Sequence, residues 1–173
     1  MTFLSGHKVS LQRFSGDDIT DAYIGWLNDA VTMRFSNQRF LRHDRQSSQR
    51  YIASFKNSPN LFFSVREKSN GNAVGTMTAY ISPVHGTADM GILIGDRSAW
   101  GQGFGLEAWT MLLHHLLAQP DIRKVTAGTL ACNAAMLSLT AKSGMLLDGQ
   151  RRKQELVDGV PHDILYFAKF ADA

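Results

Sequence analysis

With a single cysteine, Cys132, in 173 residues, the chain can form no internal disulfide, and the Cys-x-x-Cys patterns of zinc and redox sites are excluded. No apolar run approaches the ~20 residues of a membrane span, and the longest candidate, Trp109 to Ala118, is broken by His114 and His115. Met1 to Lys8 lacks a basic segment followed by an apolar one, so no secretory signal is read and a cytoplasmic location is expected. Proline is scarce, at four residues, and neither a low-complexity linker nor an internal repeat divides the chain. One domain over residues 1–173 is expected. Charge of one sign is also in short supply: 18 Lys+Arg against 15 Asp+Glu leaves +3. That lacks the dense basic stripe of a nucleic-acid binder, while the small excess favours an anionic ligand. What is present is globular: 44% hydrophobic and 19% charged residues. A chain of this length buries roughly 70% of its unfolded surface and folds without a disulfide or metal.

Val9 to Arg13 alternates apolar and polar residues, the pattern of a half-buried strand, and Ser15-Gly-Asp-Asp18 is a helix-start signal. Ala22, Tyr23, Trp26 and Leu27 recur at helical spacing until Asn28-Asp29 interrupts them. Val31 to Phe35 is expected as a second short helix, Asn37 to His43 as a loop, and Asp44 as the cap of a helix carrying Tyr51, Ile52 and Phe55. Strands follow at Leu61 to Val65 and Ala73 to Ile81, joined by an Asn-Gly hairpin turn, and at Asp89 to Ile94. Next come a helix whose apolar face is Leu106, Trp109, Leu112, Leu113 and Leu116, a strand at Val125 to Leu130, and a helix at Ala134 to Lys142. A last strand pair turns at Asp158-Gly159. The expected fold is α/β (α+β), a mixed sheet with helices on both faces.

Trp100-Gly-Gln-Gly-Phe-Gly105 joins a strand to an amphipathic helix. Glycines there permit positive φ and close backbone approach, and the first-turn amides have no helical acceptors. With the helix dipole, these features suit a pyrophosphate. The loop is neither a Walker loop, which needs Gly-Lys-Ser/Thr, nor a dinucleotide fingerprint, because its glycines run G-x-G-x-G.

The loop together with Asp89-Met-Gly-Ile-Leu-Ile94, Asn133 and Lys142-Ser-Gly-Met145 resembles the GNAT acyltransferase superfamily. The details are similar to the branch of ribosomal-protein N-terminal acetyltransferases and their small-molecule relatives. Gly25-Trp-Leu-Asn-Asp29 and the closing hairpin, with Asp158-Gly159, Asp163 and Tyr166, extend the resemblance over nearly the whole chain. It implies a mostly antiparallel sheet of about seven strands whose fourth and fifth strands splay apart. It also implies acetyl-CoA as co-substrate and no metal; His162-Asp163 is a lone pair. Amides around Gln102, Gly103, Phe104, Gly105 and Leu106 would hold the pyrophosphate. Ile92, Leu93 and Ile94 would pair with the pantetheine, and Asn133 would hydrogen-bond that arm, cap the next helix, or do both. The loop's first position is Trp100, and the tyrosine that many relatives use as general acid is Thr140, so that role is not carried over. A thiol of pKa about 8.5 leaves without obligatory protonation, and Ser138 or water can donate.

Acetyl transfer needs a neutral amine, a polarised carbonyl and a proton acceptor. The backbone amide near Ile92 would serve as oxyanion donor. Asp89, His85 and Glu155 are the base candidates; Asp89 alternatively pairs across the sheet, and His85 alternatively sits solvated in a turn. Arg34, Arg39, Arg42 and His43 lie in the region that walls the acceptor side in the family, where they would hold a phosphorylated or nucleotide-linked substrate. Ser36-Asn-Gln-Arg-Phe40 with Lys56-Asn-Ser-Pro-Asn60 is similar to acetyltransferases of amino-sugar nucleotides. The expected partner is a small-molecule or peptide amine, with no membrane and no nucleic acid, and a homodimer is left open. The reading is direct attack by a primary amine in a ternary complex. The alternatives are a protein α-amine acetyltransferase and a non-catalytic acyl-CoA sensor. Cys132, at a strand end, is read as packing rather than as an acyl carrier.

Overall fold

A computed structural model describes residues 2–171. Eight strands form one sheet: β1 (Thr2–Ser5), β2 (Val9–Arg13), β3 (Leu61–Glu67), β4 (Ala73–Ser82), β5 (Thr87–Ile94), β6 (Lys124–Leu130), β7 (Leu146–Val157) and β8 (Val160–Phe170). The spatial order is β1-β2-β3-β4-β5-β6-β8-β7, and every neighbouring pair is antiparallel except β5–β6. The sheet has eight strands where about seven were expected, in the same mostly antiparallel mixed architecture. The addition is β1, four residues that pair with β2, so the strands expected to splay as fourth and fifth are β5 and β6.

Four α-helices flank the sheet: α1 (Asp21–Asn28), α2 (Arg45–Ala53), α3 (Phe104–Leu117) and α4 (Ala134–Lys142). Trp109, Leu112, Leu113 and Leu116 of α3 are buried against Val9, Leu11, Phe63, Met77, Met90 and Val125, which form the larger core on one sheet face. Met136 and Leu139 of α4 join that core. Phe14, Ile19, Tyr23 and Phe62 form a smaller core on the other face with residues of α1 and α2. Phe62 and Phe63, adjacent in sequence, serve opposite cores, as the two-residue period of a strand requires. Asp44 caps α2 by accepting from Ser47 N at 2.7 Å.

The helix expected at Val31 to Phe35 is not formed; the segment is a run of turns, followed by a short 3-10 helix at Asn37–Phe40 where a loop was expected. Asp29 explains the interruption. Its carboxylate accepts from Thr32 N at 2.8 Å and is bonded to the Arg97 guanidinium, which holds the chain in a local turn. The Arg97 bond and then the Thr32 bonds hold Asp29 well below the usual carboxylate range. No helix among the described residues is long and apolar enough to cross a membrane.

Candidate active site

The β5–β6 ladder runs for only three rungs, Thr87–Lys124, Ala88–Val125 and Asp89–Thr126. Beyond Asp89, β5 continues to Ile94 while β6 diverges, so the expected splay is present. Gly95 N donates to Val74 O at 3.0 Å across the β4 side. Backbone groups alternate along a strand, so those of Ile92 and Ile94 point the other way, into the gap that β6 leaves. The Trp100 indole, from the start of the glycine-rich loop, donates to Ile94 O at 2.8 Å. The amides of Ile92 and Ile94 face the gap beside it.

That loop turns on two left-handed glycines, Gly101 at φ +74° and Gly103 at φ +83°. Gly103 is the N-cap of α3, and its carbonyl accepts from Glu107 N at 3.1 Å. This is the first helical bond, so the amides of Phe104, Gly105 and Leu106 have no acceptor within the helix. A Cβ on Gly105 would lie 3.4 Å from the Ile94 side chain, which sets the helix start directly against the end of β5. The loop is also tied from behind. Lys8 Nζ donates to Gln102 O at 2.9 Å, and the Glu107 carboxylate accepts from the amides of His7 and Lys8.

On the opposite sheet face lies a cavity of about 620 Å³, within the range of small-ligand pockets. Its floor is Thr76, Thr78 and Tyr80 of β4 with Gly91 to Leu93 of β5, and its apolar wall includes Tyr23, Leu27, Met33 and Phe62. Arg42, His43 and Arg50 stand on the helical side. Tyr51 and Tyr80 share a hydroxyl–hydroxyl hydrogen bond of 2.7 Å. Burial, then that bond, pushes the Tyr51 phenol up, so it stays neutral and acts only through hydrogen bonds.

The sequence-chosen residues separate into groups. Arg42 and His43 line the cavity. Arg34 and Arg39 instead bind the β7–β8 turn: Arg34 pairs with Asp158 at 2.8 Å, and Arg39 donates to Leu156 O at 2.8 Å. Glu155 joins this latch by accepting from Asn37 Nδ2 at 2.8 Å. Asp89 projects to the cavity face of β5, opposite Tyr80, and accepts from Thr126 Oγ1 at 2.6 Å. Desolvation raises its pKa, against the lowering effect of the Thr126 bond. His85 sits in the exposed β4–β5 turn, seven residues before Ile92, or roughly 20 Å along an extended chain. Ser138 is exposed on α4.

Asn133 caps α4, accepting from Met136 N at 3.3 Å, which leaves its amide nitrogen free for a second partner. Thr140 is 0% exposed and donates to Leu137 O at 3.0 Å, so its hydroxyl is committed to the helix. Sequence reasoning passed over Arg50, Tyr51 and Tyr80. They come from α2 and β4, and only the fold brings them together. No group of His, Cys, Asp or Glu among the described residues is arranged to hold a metal ion.

Solved structures share this architecture at low identity. A ribosomal L7/L12 alpha-N-protein acetyltransferase in complex with coenzyme A superimposes with a TM-score of 0.86 at 16% identity, covering 100% of this chain and 99% of that one. A spermidine N-acetyltransferase from Vibrio cholerae, in complex with CoA and spermine, gives 0.82 at 15%, covering 95% and 96%. A microcin C7 self-immunity acetyltransferase, in complex with acetyl-CoA and AMP, gives 0.81 at 16%, covering 95% and 93%. No protein of curated function matches the sequence. The acetyltransferase (GNAT) domain model, however, matches residues 8–146, from the loop-backing Lys8 through both splayed strands and α4. The chain belongs to the GNAT acetyltransferase family.

Proposed function

We propose that the protein transfers the acetyl group of acetyl-CoA to a primary amine of a small molecule. The observation that carries this is the double exposure of Ile92. Its backbone groups face the gap beside β6, while the cavity on the sheet reaches Gly91 to Leu93. A thioester lying in the gap and an amine lying in the cavity would meet there. The three free amides at the start of α3, approached over side-chain-less Gly103, fit a pyrophosphate. Solved relatives are described with coenzyme A or acetyl-CoA bound, which supports the same reading.

Acetyl-CoA supplies an activated acetyl thioester. The Ile92 amide is the oxyanion donor as the amine nitrogen attacks and the carbonyl oxygen gains charge. Collapse of the adduct forms the amide bond, breaks the carbon–sulfur bond and releases the thiolate, while the ammonium proton passes to a base. We take Asp89 as the base: it lies on the same face of β5 as the cavity, outside the lining itself, and desolvation raises its proton affinity. Proton supply to the thiolate from Ser138 or water is optional, because the thiol is acidic enough to leave charged.

A small acceptor is favoured over a protein N-terminus by the β7–β8 turn, which Arg34, Asn37 and Arg39 hold against the loop beside the cavity. The test combines acetyl-CoA with amines of each class and reads free thiol. Acetyl-CoA at a hundred times its dissociation constant should stabilise the fold by about 2.7 kcal/mol, with NAD and ATP far behind. Equal shifts from all three would refute the acetyl-CoA assignment. Binding without thiol release from any amine would establish a sensor instead.

A further inference from the structure

The cavity carries a charge that acetyl transfer itself does not require. Arg42, His43 and Arg50 line it, and no aspartate or glutamate does. Arg34 and Arg39 of the same region are spent on the β7–β8 turn, and Arg97 is paired with Asp29. Arg42 and Arg50 take part in no ion pair among the described residues. The nearby Asp44 carboxylate is committed to the N-terminus of α2. The His43 ring is oriented by its Nε2, 3.1 Å from Gln38 O, and its backbone amide donates to Asn28 Oδ1 at 2.9 Å. Nε2 facing a carbonyl must carry a hydrogen, which leaves Nδ1 as the free ring position.

Arg42 and Arg50 bring two like charges to a cavity whose lining, Leu27, Met33 and Phe62 among it, holds no carboxylate, so the site favours an anion. Guanidinium matches phosphate or carboxylate with paired hydrogen bonds. Resting on the acetyltransferase reading, we infer that the natural acceptor is a primary amine bearing an anionic group. That group is held at Arg42 and Arg50 while the amine lies over Gly91 to Leu93. The same wall selects against polyamines, whose extra ammonium groups would meet two guanidiniums and no carboxylate in the cavity lining.

The test compares glucosamine, glucosamine 6-phosphate, muramic acid and spermidine, reading thiol release from acetyl-CoA. The phosphorylated or carboxylated amine should exceed glucosamine at least tenfold in kcat/KM, and whichever of the two leads identifies the anion. In the Arg42→Met, Arg50→Met double variant this ratio should fall to near one, through a raised KM for the charged amine. Calorimetric titration of glucosamine 6-phosphate into the CoA-saturated protein should show binding that the double variant loses. Equal use of charged and neutral amines, a preference for spermidine, or titration curves that do not differ between the two proteins would overturn the inference. Turnover without charge preference refutes this inference alone. Thiol release from no amine, alongside intact binding of the phosphorylated amine, refutes the acetyltransferase reading instead.

Discussion

Gly103 offers the sharpest perturbation of the loop. Its φ of +83° is left-handed, and a Cβ there would lie 3.5 Å from Lys8 Nζ, which is ordinary contact. Gly103→Ala therefore introduces strain without a clash, costing about 1–2 kcal/mol of stability. In a domain of this size each kcal/mol lowers Tm by roughly 2–4 °C. Gly103→Asp adds the same strain plus a carboxylate beside the free amides of Phe104 to Leu106. A charge about 5 Å from two phosphate charges costs ~2 kcal/mol at water's dielectric constant and ~7 kcal/mol at an effective value near 20. The Lys8 ammonium, 3.5 Å from that Cβ position, offsets part of this, so the lower figure, ~1.7 kcal/mol before rounding or roughly 15-fold in affinity, is the expected loss. The two variants share their strain, and the difference between them isolates the electrostatic part. Calorimetric titration with acetyl-CoA, with circular dichroism to confirm folding, measures both. A folded Gly103→Asp protein that binds acetyl-CoA as tightly as Gly103→Ala would place the phosphates elsewhere and remove the physical basis for the loop assignment.

Asn133→Ala should lower stability by about 1 kcal/mol through loss of the α4 cap. It should also weaken acetyl-CoA by about 0.5–1.5 kcal/mol if the free amide nitrogen meets the pantetheine, so denaturation and titration on one preparation separate the two roles. Asp89→Asn should remove the acid limb of the kcat/KM profile, and an unchanged limb would dismiss Asp89 as the base. Its effect on stability has a definite sign. Burial raises the folded-state pKa, so Asp89 favours folding most below the unfolded pKa, and this contribution is lost as pH rises through the folded value. The Asn variant should accordingly gain on the wild type in neutral denaturant melts. Thr140→Val should leave kcat unchanged, because the hydroxyl is buried on Leu137 O; a hundredfold loss would restore an acid role there.

The α3 face was readable because Trp109, Leu112, Leu113 and Leu116 repeat at the helical period, and all four are buried. The Asp158-Gly159 turn was readable for a local reason too: both residues have positive φ, the two-residue hairpin geometry that such a pair supplies. β1 escaped notice because four residues give too short an alternation, and its pairing with β2 is a tertiary fact. The segment after Asp29 misled because its apolar spacing suits a helix, whereas bonds from Thr32 and from Arg97, sixty-eight positions away, fix a turn. Arg39 and Arg42 look equivalent in sequence; only the position of the β7–β8 hairpin decides that one holds a loop and the other lines a cavity. The left-handed turn of the glycine loop was local and legible. The cavity lining, assembled from distant segments, was not.

The interrupted β5–β6 ladder has a consequence beyond catalysis. Where pairing stops after three rungs, Ile92 and Ile94 present a strand edge in the middle of a sheet rather than at its margin. Edges with unpaired backbone groups template association with other extended chains, and proteins commonly blunt them with charge, proline or a covering side chain. Here the Trp100 indole covers one carbonyl, that of Ile94. A narrow extended molecule can still enter and complete the ladder, as a peptide does when it adds a strand. An edge of this kind, interior to the sheet and open for only a few residues, suits a narrow extended ligand better than the strand of a second sheet.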